Sequence, residues 1–395
     1  MAEDGAASRN APADSAARPR LKEICWSFLK LGTVAFGGPA AHIAMMEEEF
    51  VRQRAWISHR EFLDMLGASN LIPGPSSTEM AIHIGYRRGG WEGLIVAGTC
   101  FILPAFLIVT GCAWAYAQFG ALPRVQYVLY GVKPVIITIV LQALWRLAPV
   151  AVKGWFLAAV VVLSALAVVI GGNILAILLI AGFITMLLAW TQQRSACDPP
   201  AMFALTSLPT TTFAAGAGAS GLVGLFMVFL KFGAVIFGSG YVLLAFLQGD
   251  LVDRLHWLSQ AQLLDAIAVG QMTPGPVFTT ATFIGYLLGG LRGAVMATLG
   301  IFLPGFLFVA ASRPLIPRIR DSTIASAFLD GVNAGAVGLI GAVTWQLGRA
   351  AVIDLLTGAI ALFSAFFLLC FQVNSVWLLF GAGFIGMVAK RWLGA

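Results

Sequence analysis

Apolar positions dominate this 395-residue chain, and they come in long unbroken runs. Residues 154–190, "GWFLAAVVVLSALAVVIGGNILAILLIAGFITMLLAW", hold no charged side chain, and the central "GGN" reads as the tip of a helical hairpin. A run of roughly 18 apolar residues can cross a bilayer as an α-helix. Strands of a membrane barrel would be short and would alternate apolar with polar, which these segments do not. The pattern predicts an all-α polytopic membrane protein.

The hydrophobic pattern occurs twice. "FLKLGTVAFGG" at 28–38 matches "FLKFGAVIFGS" at 229–239, and "RAWISHREFLDML" at 54–66 matches "LHWLSQAQLLDAI" at 255–267. "PGP" stands at 73–75 and again at 274–276, followed by "IGYRRGG" at 84–90 and "IGYLLGG" at 284–290. A period this long marks a duplicated structural unit. The chain divides into a tail at 1–20, a first repeat at 21–191, a linker at 192–220 and a second repeat at 221–395. The tail lacks an apolar core and predicts disorder, not a signal peptide; the linker is rich in Pro, Thr, Ser and Gly.

Each half predicts a glycine-interrupted helix (24–45 and 222–247), a loop with a Trp, a segment split by PGP (61–86 and 262–288), a long helix to 116 or 312, another at 125–148 or 324–347, and a closing hairpin (154–190 and 352–389). If the PGP segment spans fully, each half crosses six times and the halves are parallel. If it enters and turns back, each crosses five times and they are inverted. A mid-segment PGP breaks a spanning helix severely, which favours inversion.

Composition agrees with the pattern. Charged residues make up 11% of the chain, against about 25% in soluble domains, and mean hydropathy is +0.89. The net charge of +6 is scattered loop arginine, which fits topology and anionic lipid and no nucleic-acid partner. Arg18, Arg20 and Lys22 before the first apolar run place the N-terminus in the cytoplasm. The five cysteines and four histidines show no metal-ligand spacing, so no metal or cofactor is expected.

The breaks carry the candidate chemistry. Proline removes a donor and pushes the preceding residue out of the α region. At membrane depth the freed backbone groups need protein or a water-filled cavity around them, and two such breaks at equivalent places point to a transporter site between repeats. Half-helix N-termini after Pro73, Gly74 and Pro75, and after Pro274, Gly275 and Pro276, would offer N–H groups to an anion. Ser76, Ser77 and Thr78 in one half, and Thr279, Thr280 and Thr282 in the other, would add hydroxyls. Asn70 and Gln271, both three residues before the PGP, suggest a polar lining. Lys30 and Lys231, both in "FLK(L/F)G", could converge on a dianion or snorkel to the headgroups. The glycine-rich pieces Phe36–Gly37–Gly38–Pro39 and Phe237–Gly238–Ser239–Gly240 read as unwound backbone facing substrate or as close helix packing. Glu79 is an intramembrane acid with Thr280 opposite it in the second half, and so a proton-relay candidate. Asp64 and Asp265 are proton-coupling candidates for which helix-dipole capping is a sufficient explanation.

Duplicated halves, each with "FG(G/S)" after "K-x-G" and each with "PGP", "IGY" and "GG" in order, resemble the chromate ion transporter family in its long, two-domain form, over most of 24–390. The resemblance implies export of chromate across the bacterial inner membrane, with sulfate-like oxyanions as congeners and the two halves in opposite orientation. It assigns motif positions to Phe36, Gly37, Gly38, Pro39, Pro73, Gly74 and Pro75, and to Phe237, Gly238, Pro274, Gly275 and Pro276. Gly240 stands where Pro39 stands in the first half, so the halves need not contribute equally. The expected partners are an oxyanion and the lipid bilayer, and a homo-oligomer is compatible with the sequence. Against an enzyme, the chain has no GxSxG, no dinucleotide fingerprint and no P-loop; against a channel, paired broken segments favour alternating access.

Overall fold

The computed structural model describes residues 13–194, 221–237, 240–312, 322–371 and 373–392. All regular structure among them is helical. The first half comprises α1 (Ala13–Val34), α2 (Gly38–Glu47) running into a π-helical turn (Glu48–Gln53), α3 (His59–Ser69), α4 (Ser76–Phe119), α5 (Pro123–Ala151), α6 (Trp155–Val169) and α7 (Ile174–Arg194). The second repeats this order: α8 (Leu222–Val235), α9 (Val242–Phe246) with a π-helical turn (Leu247–Arg254), α10 (Gln260–Met272), α11 (Thr280–Ser312) after a short 3₁₀ turn (Val277–Thr279), α12 (Thr323–Ala351), α13 (Leu355–Cys370) and α14 (Ser375–Trp392). Stretches of α4, α5, α7, α11 and α12 are long and apolar enough to cross a membrane.

The glycine-interrupted opening segment is a hairpin. α1 stops after Val34, and α2 with its π turn runs back along it. Phe50 stacks beside Phe28 with ring centroids 4.9 Å apart, and Arg54 reaches Glu23 at 3.2 Å. The PGP segment is a second hairpin. Ser58 and Glu61 cap the start of α3 reciprocally, and Arg87, at the end of the return leg, lies 3.0 Å from Glu61. Entry and exit of this hairpin are therefore at one level, and PGP is its tip. In the second half Ser259 and Gln262 form the same capping box, and Gly270 of the incoming leg packs on Thr280 of the return leg.

α4 and α11 each contain a further turn. At Gly89–Gly90 and Gly289–Gly290 the backbone leaves the helix, with φ of 62° and 61° at the second glycine. The return leg folds back onto the helix that follows: Gly85 packs on Gly93 and Ala97, and Gly285 on Gly293 and Ala297. The glycine–glycine contacts are backbone to backbone and the alanines add only a methyl, an approach that small residues permit.

Equivalent helices of the two halves run antiparallel. Gly98 of α4 meets the Phe306 ring of α11, and Leu94 falls in one cluster with Phe306 and Val309. In α5 and α12, Leu144 meets Gly341 and Ile137 meets Gly348, so number falls along one helix as it rises along the other. This is the arrangement of an inverted repeat. The halves also interlock: α7 packs on α12 through Ala181 and Thr185 against Gly331, and α14 packs on α5 through Ala382 and Gly386 against Gly131. A side chain at Gly331 would overlap the Ala181 carbonyl. Gly331→Leu is expected to cost about 1–3 kcal/mol and to lower the midpoint of thermal unfolding in detergent, whereas Gly381→Leu, where space is open, is expected to leave it unchanged.

The outer surface is apolar. Trp114, Trp145, Trp155, Trp345, Trp377 and many Leu, Ile and Phe side chains of the long helices are exposed, as lipid-facing positions are.

Candidate functional site

The four hairpin tips meet at the centre, and they meet across the halves. Where α1 ends, the Ala35 carbonyl has no helical partner; it accepts from the Gly275 N–H at 2.9 Å. Where α8 ends, the Ile236 carbonyl accepts from the Gly74 N–H at 2.7 Å. Each PGP glycine thus satisfies a carbonyl freed by the break in the other half, which a low-dielectric interior requires. Both glycines have positive φ, 139° at Gly74 and 94° at Gly275, and a Cβ would overlap the Glu79 carboxylate at the first and the Ala105 methyl at the second. His42 adds a ring N–H to the Ala35 carbonyl at 3.1 Å.

A cavity of about 50 Å³ lies at this junction, several times the roughly 10–15 Å³ that admits one water. Gly37 and Gly38 contribute its wall from the first break, and Gln271, Thr273 and Gly275 from the second PGP hairpin, with Tyr241, Gln142 and Ser375 closing it. None of the lining side chains carries a charge. Gly37 and Gly38 have φ of 104° and 78°, so their backbone is unwound where it faces the cavity. Pro39 sits in the first turn of α2, where its missing N–H costs nothing. Gln271 and Tyr241 both line the cavity, and the Gln271 amide nitrogen is buried without a hydrogen-bond partner. Amides, hydroxyls and unwound backbone without a carboxylate form a cage suited to a small anion.

The cavity is asymmetric. Phe36, Phe237 and Gly240 flank the tips, with Phe237 packed against the main core and Gly240 over the Phe278 ring; Gly238 and Ser239 lie outside the described residues. Pro73, Pro75, Ser76, Ser77 and Thr78 belong to the same junction without lining the cavity. Thr78 is buried with its hydroxyl unpartnered. The Thr279 and Thr280 hydroxyls do not reach substrate space: they donate to the carbonyls of Pro276 and Val277 at 2.7 and 2.8 Å. Thr282 pairs with Thr298 at 2.7 Å. Asn70 caps the end of α3 and is exposed, so only Gln271 of that amide pair lines the cavity. Pro274 and Pro276 are buried and shape the second turn.

The lysines do not converge on the centre. Lys30 faces Glu49 at 3.5 Å, and Lys231 faces Asp250 at 2.6 Å. Each acid is shared with an arginine, Arg54 at 2.6 Å and Arg254 at 3.2 Å. The acids stand at equivalent positions in the π-helical turns, whose wider coil turns them toward the lysine across the hairpin. Composition gave no sign of this pairing, because a lysine and an acid 19 residues apart meet only if the helix between them breaks.

The two aspartates also separate. Asp64 is exposed. Asp265 is buried and lies against the other half, 3.0 Å from Lys133 of α5 and accepting from the Tyr116 hydroxyl of α4 at 2.8 Å. Capping is not its role. Gln142, Tyr241 and Ser375 escaped the sequence reading; Gln142 alone left a signal, as the one amide in the otherwise largely apolar run "VIITIVLQALW" at 135–145.

Comparison with known proteins places this architecture. A chromate transporter family model matches twice, over residues 22–186 and 223–387. A chromate transport protein of Cupriavidus metallidurans is 35% identical over 93% of this chain and 93% of its own length. A probable chromate transport protein of Synechococcus elongatus is 34% identical over 87% and 90%, and a chromate transport protein of Pseudomonas aeruginosa 33% over 82% and 80%. No solved structure matches. A duplicated, all-helical, lipid-facing chain that carries the family pattern in both halves is a multi-pass transport protein and not an enzyme: it belongs to the chromate transporter family.

Proposed function

We propose that this protein is a secondary transporter that carries chromate out of the cytoplasm across the bacterial inner membrane and binds it in the cavity where the hairpin tips meet. The observation that carries the reading is the cross-half pairing of Gly275 with Ala35 and of Gly74 with Ile236. A site built jointly by two antiparallel repeats changes its exposure when one repeat rocks against the other. Chromate is a tetrahedral oxyanion, largely doubly charged at neutral pH, and a cage of N–H, amide and hydroxyl donors suits it. An inside-negative potential favours its exit by about 2.3 kcal/mol per charge per 100 mV. Sulfate shares the shape and charge, and competes in this reading.

Labelled chromate uptake into everted membrane vesicles tests it. The wild type is expected to saturate. Gln271→Ala removes a donor that meets a charged ligand, a contact worth about 1.5–3 kcal/mol, and is expected to raise KM roughly ten- to hundred-fold at equal membrane abundance. Uptake that never saturates would favour a channel, and an unchanged KM would move the anion elsewhere.

A further inference from the structure

Glu79 is the one acid at the tip junction that nothing pairs. It is fully buried, and neither carboxylate oxygen has a hydrogen-bond partner. It lies directly beneath Gly74, the glycine whose N–H holds the Ile236 carbonyl of the other half, and it faces Gly305 of α11. One turn further along the same face is His83, whose Nε2 is also buried without a partner. Residues four apart on a helix are neighbours, so the pair forms a polar line along the return leg, from the junction toward its outer end at Arg87.

The surroundings supply no counter-charge. From α11, the stretch 293–312 that packs on this leg carries no titratable side chain. From α1, Glu23 is held by Arg54 and Arg88, and Lys30 by Glu49. From α3, Glu61 is held by Arg87, while Arg60 and Asp64 are exposed. From α2, His42 is turned to the Ala35 carbonyl. From α10, Asp265 is held by Lys133. A bare carboxylate without water or a cation is not tolerated at membrane depth, so in this state the group carries a proton. The second half shows that folding does not require an acid here: Thr280 occupies the equivalent place and bonds its own backbone at 2.8 Å.

Resting on the transport reading above, we propose that Glu79 is the proton-binding site that couples transport, with His83 as the relay between it and the membrane surface. When the Gly74 tip parts from Ile236, the carboxylate gains water and releases its proton; when the tip closes, it takes one up. One proton therefore binds and leaves at Glu79 per conformational cycle: the Glu79 O–H breaks as a ring N–H of His83 forms, and that N–H breaks as water at the surface takes the proton, with the reverse on uptake.

The test uses the purified full chain in liposomes, with chromate exchange at equal pH and chromate accumulation under a pH gradient read side by side. Wild type is expected to do both. Glu79→Gln, which keeps shape and removes the proton, and Glu79→Thr, which copies the second half, are expected to keep exchange within about two-fold of wild type and to lose at least ten-fold in gradient-driven accumulation. Glu79→Asp is expected to restore part of it. Gradient-driven accumulation retained by Glu79→Gln, or exchange-competent wild type that ignores the pH gradient, would overturn the proposal. Wild type without any chromate exchange would instead overturn the transport reading. Should the neutral variants fail to fold, proton release or uptake by the wild type on chromate addition, followed with a pH indicator dye, decides: binding that moves no proton overturns it.

Discussion

Gly275→Val is expected to reduce chromate transport at least ten-fold, and to do so without removing any side chain that could touch the anion. Two costs coincide. A β-branched residue at φ of 94° is strained by roughly 1–2 kcal/mol or more, and its Cβ overlaps the Ala105 methyl, an overpacking worth about 1–3 kcal/mol. The easiest relief is to pull the tip away from α4, which breaks the 2.9 Å bond to the Ala35 carbonyl and opens the cavity wall. Gly74→Val acts at the partner tip, where the obstacle is the Glu79 carboxylate. The double variant is expected to be no worse than the poorer single one in transport, because either tip alone disables the junction. Gly90→Ala, at φ of 62° but in open space, is the control for strain without overlap and is expected to retain most of its activity. Vesicle uptake normalised to membrane abundance distinguishes these outcomes.

Asp265→Ala is expected to be the most destabilising single change in the ion-pair set. It leaves Lys133, whose side chain is 17% exposed, without the carboxylate 3.0 Å away, and it strands the Tyr116 hydroxyl. Removing one partner of a buried pair costs about 3–5 kcal/mol, whereas replacing both by apolar groups of similar size is often neutral. Asp265→Leu with Lys133→Met should therefore recover most of the thermal stability lost by Asp265→Ala. The pair joins α10 of the second half to α5 of the first, so stability and transport make separate predictions for the double variant. Recovered stability without recovered transport would show that the pair must break and re-form as the halves move. The exposed pair of Arg52 with Glu48, at 3.7 Å, is expected to contribute under about 1 kcal/mol.

Much of the fold is legible in the sequence because lipid leaves few choices. Runs such as 154–190 must be helices, since every backbone group needs an internal partner, and the two PGP motifs must end helices. The repeat could be read because Lys30 and Lys231, or Gly85 and Gly285, stand in matching contexts. The first hairpin was harder. Phe36–Gly37–Gly38 marks a break, but only contacts across it, such as Lys30 with Glu49 and Phe28 with Phe50, reveal that the chain turns back there. The cavity was the least legible. Gly37, Gly38, Gln271 and Gly275 announce themselves as breaks or as polar residues beside one, while Tyr241 and Ser375 come to the cavity wall only in the folded chain. The symmetric reading of the site, with both lysines and both sets of hydroxyls around one anion, fails for a physical reason. A local partner is always nearer: the π-helical acids take the lysines, and the turn carbonyls take Thr279 and Thr280.

Substrate protection of a cavity residue tests the central claim most directly. Thr273 lines the cavity, is buried, and has extended backbone (φ −95°, ψ 145°) that accepts a cysteine. In a background with the five native cysteines replaced by serine, Thr273→Cys is labelled with a small methanethiosulfonate reagent in membranes, with and without chromate. The predicted result is labelling that chromate slows in a saturable way, at concentrations matching its transport KM, and that chloride at equal ionic strength does not slow. Labelling indifferent to chromate, in a variant that still transports it, would contradict a site at the meeting of the tips.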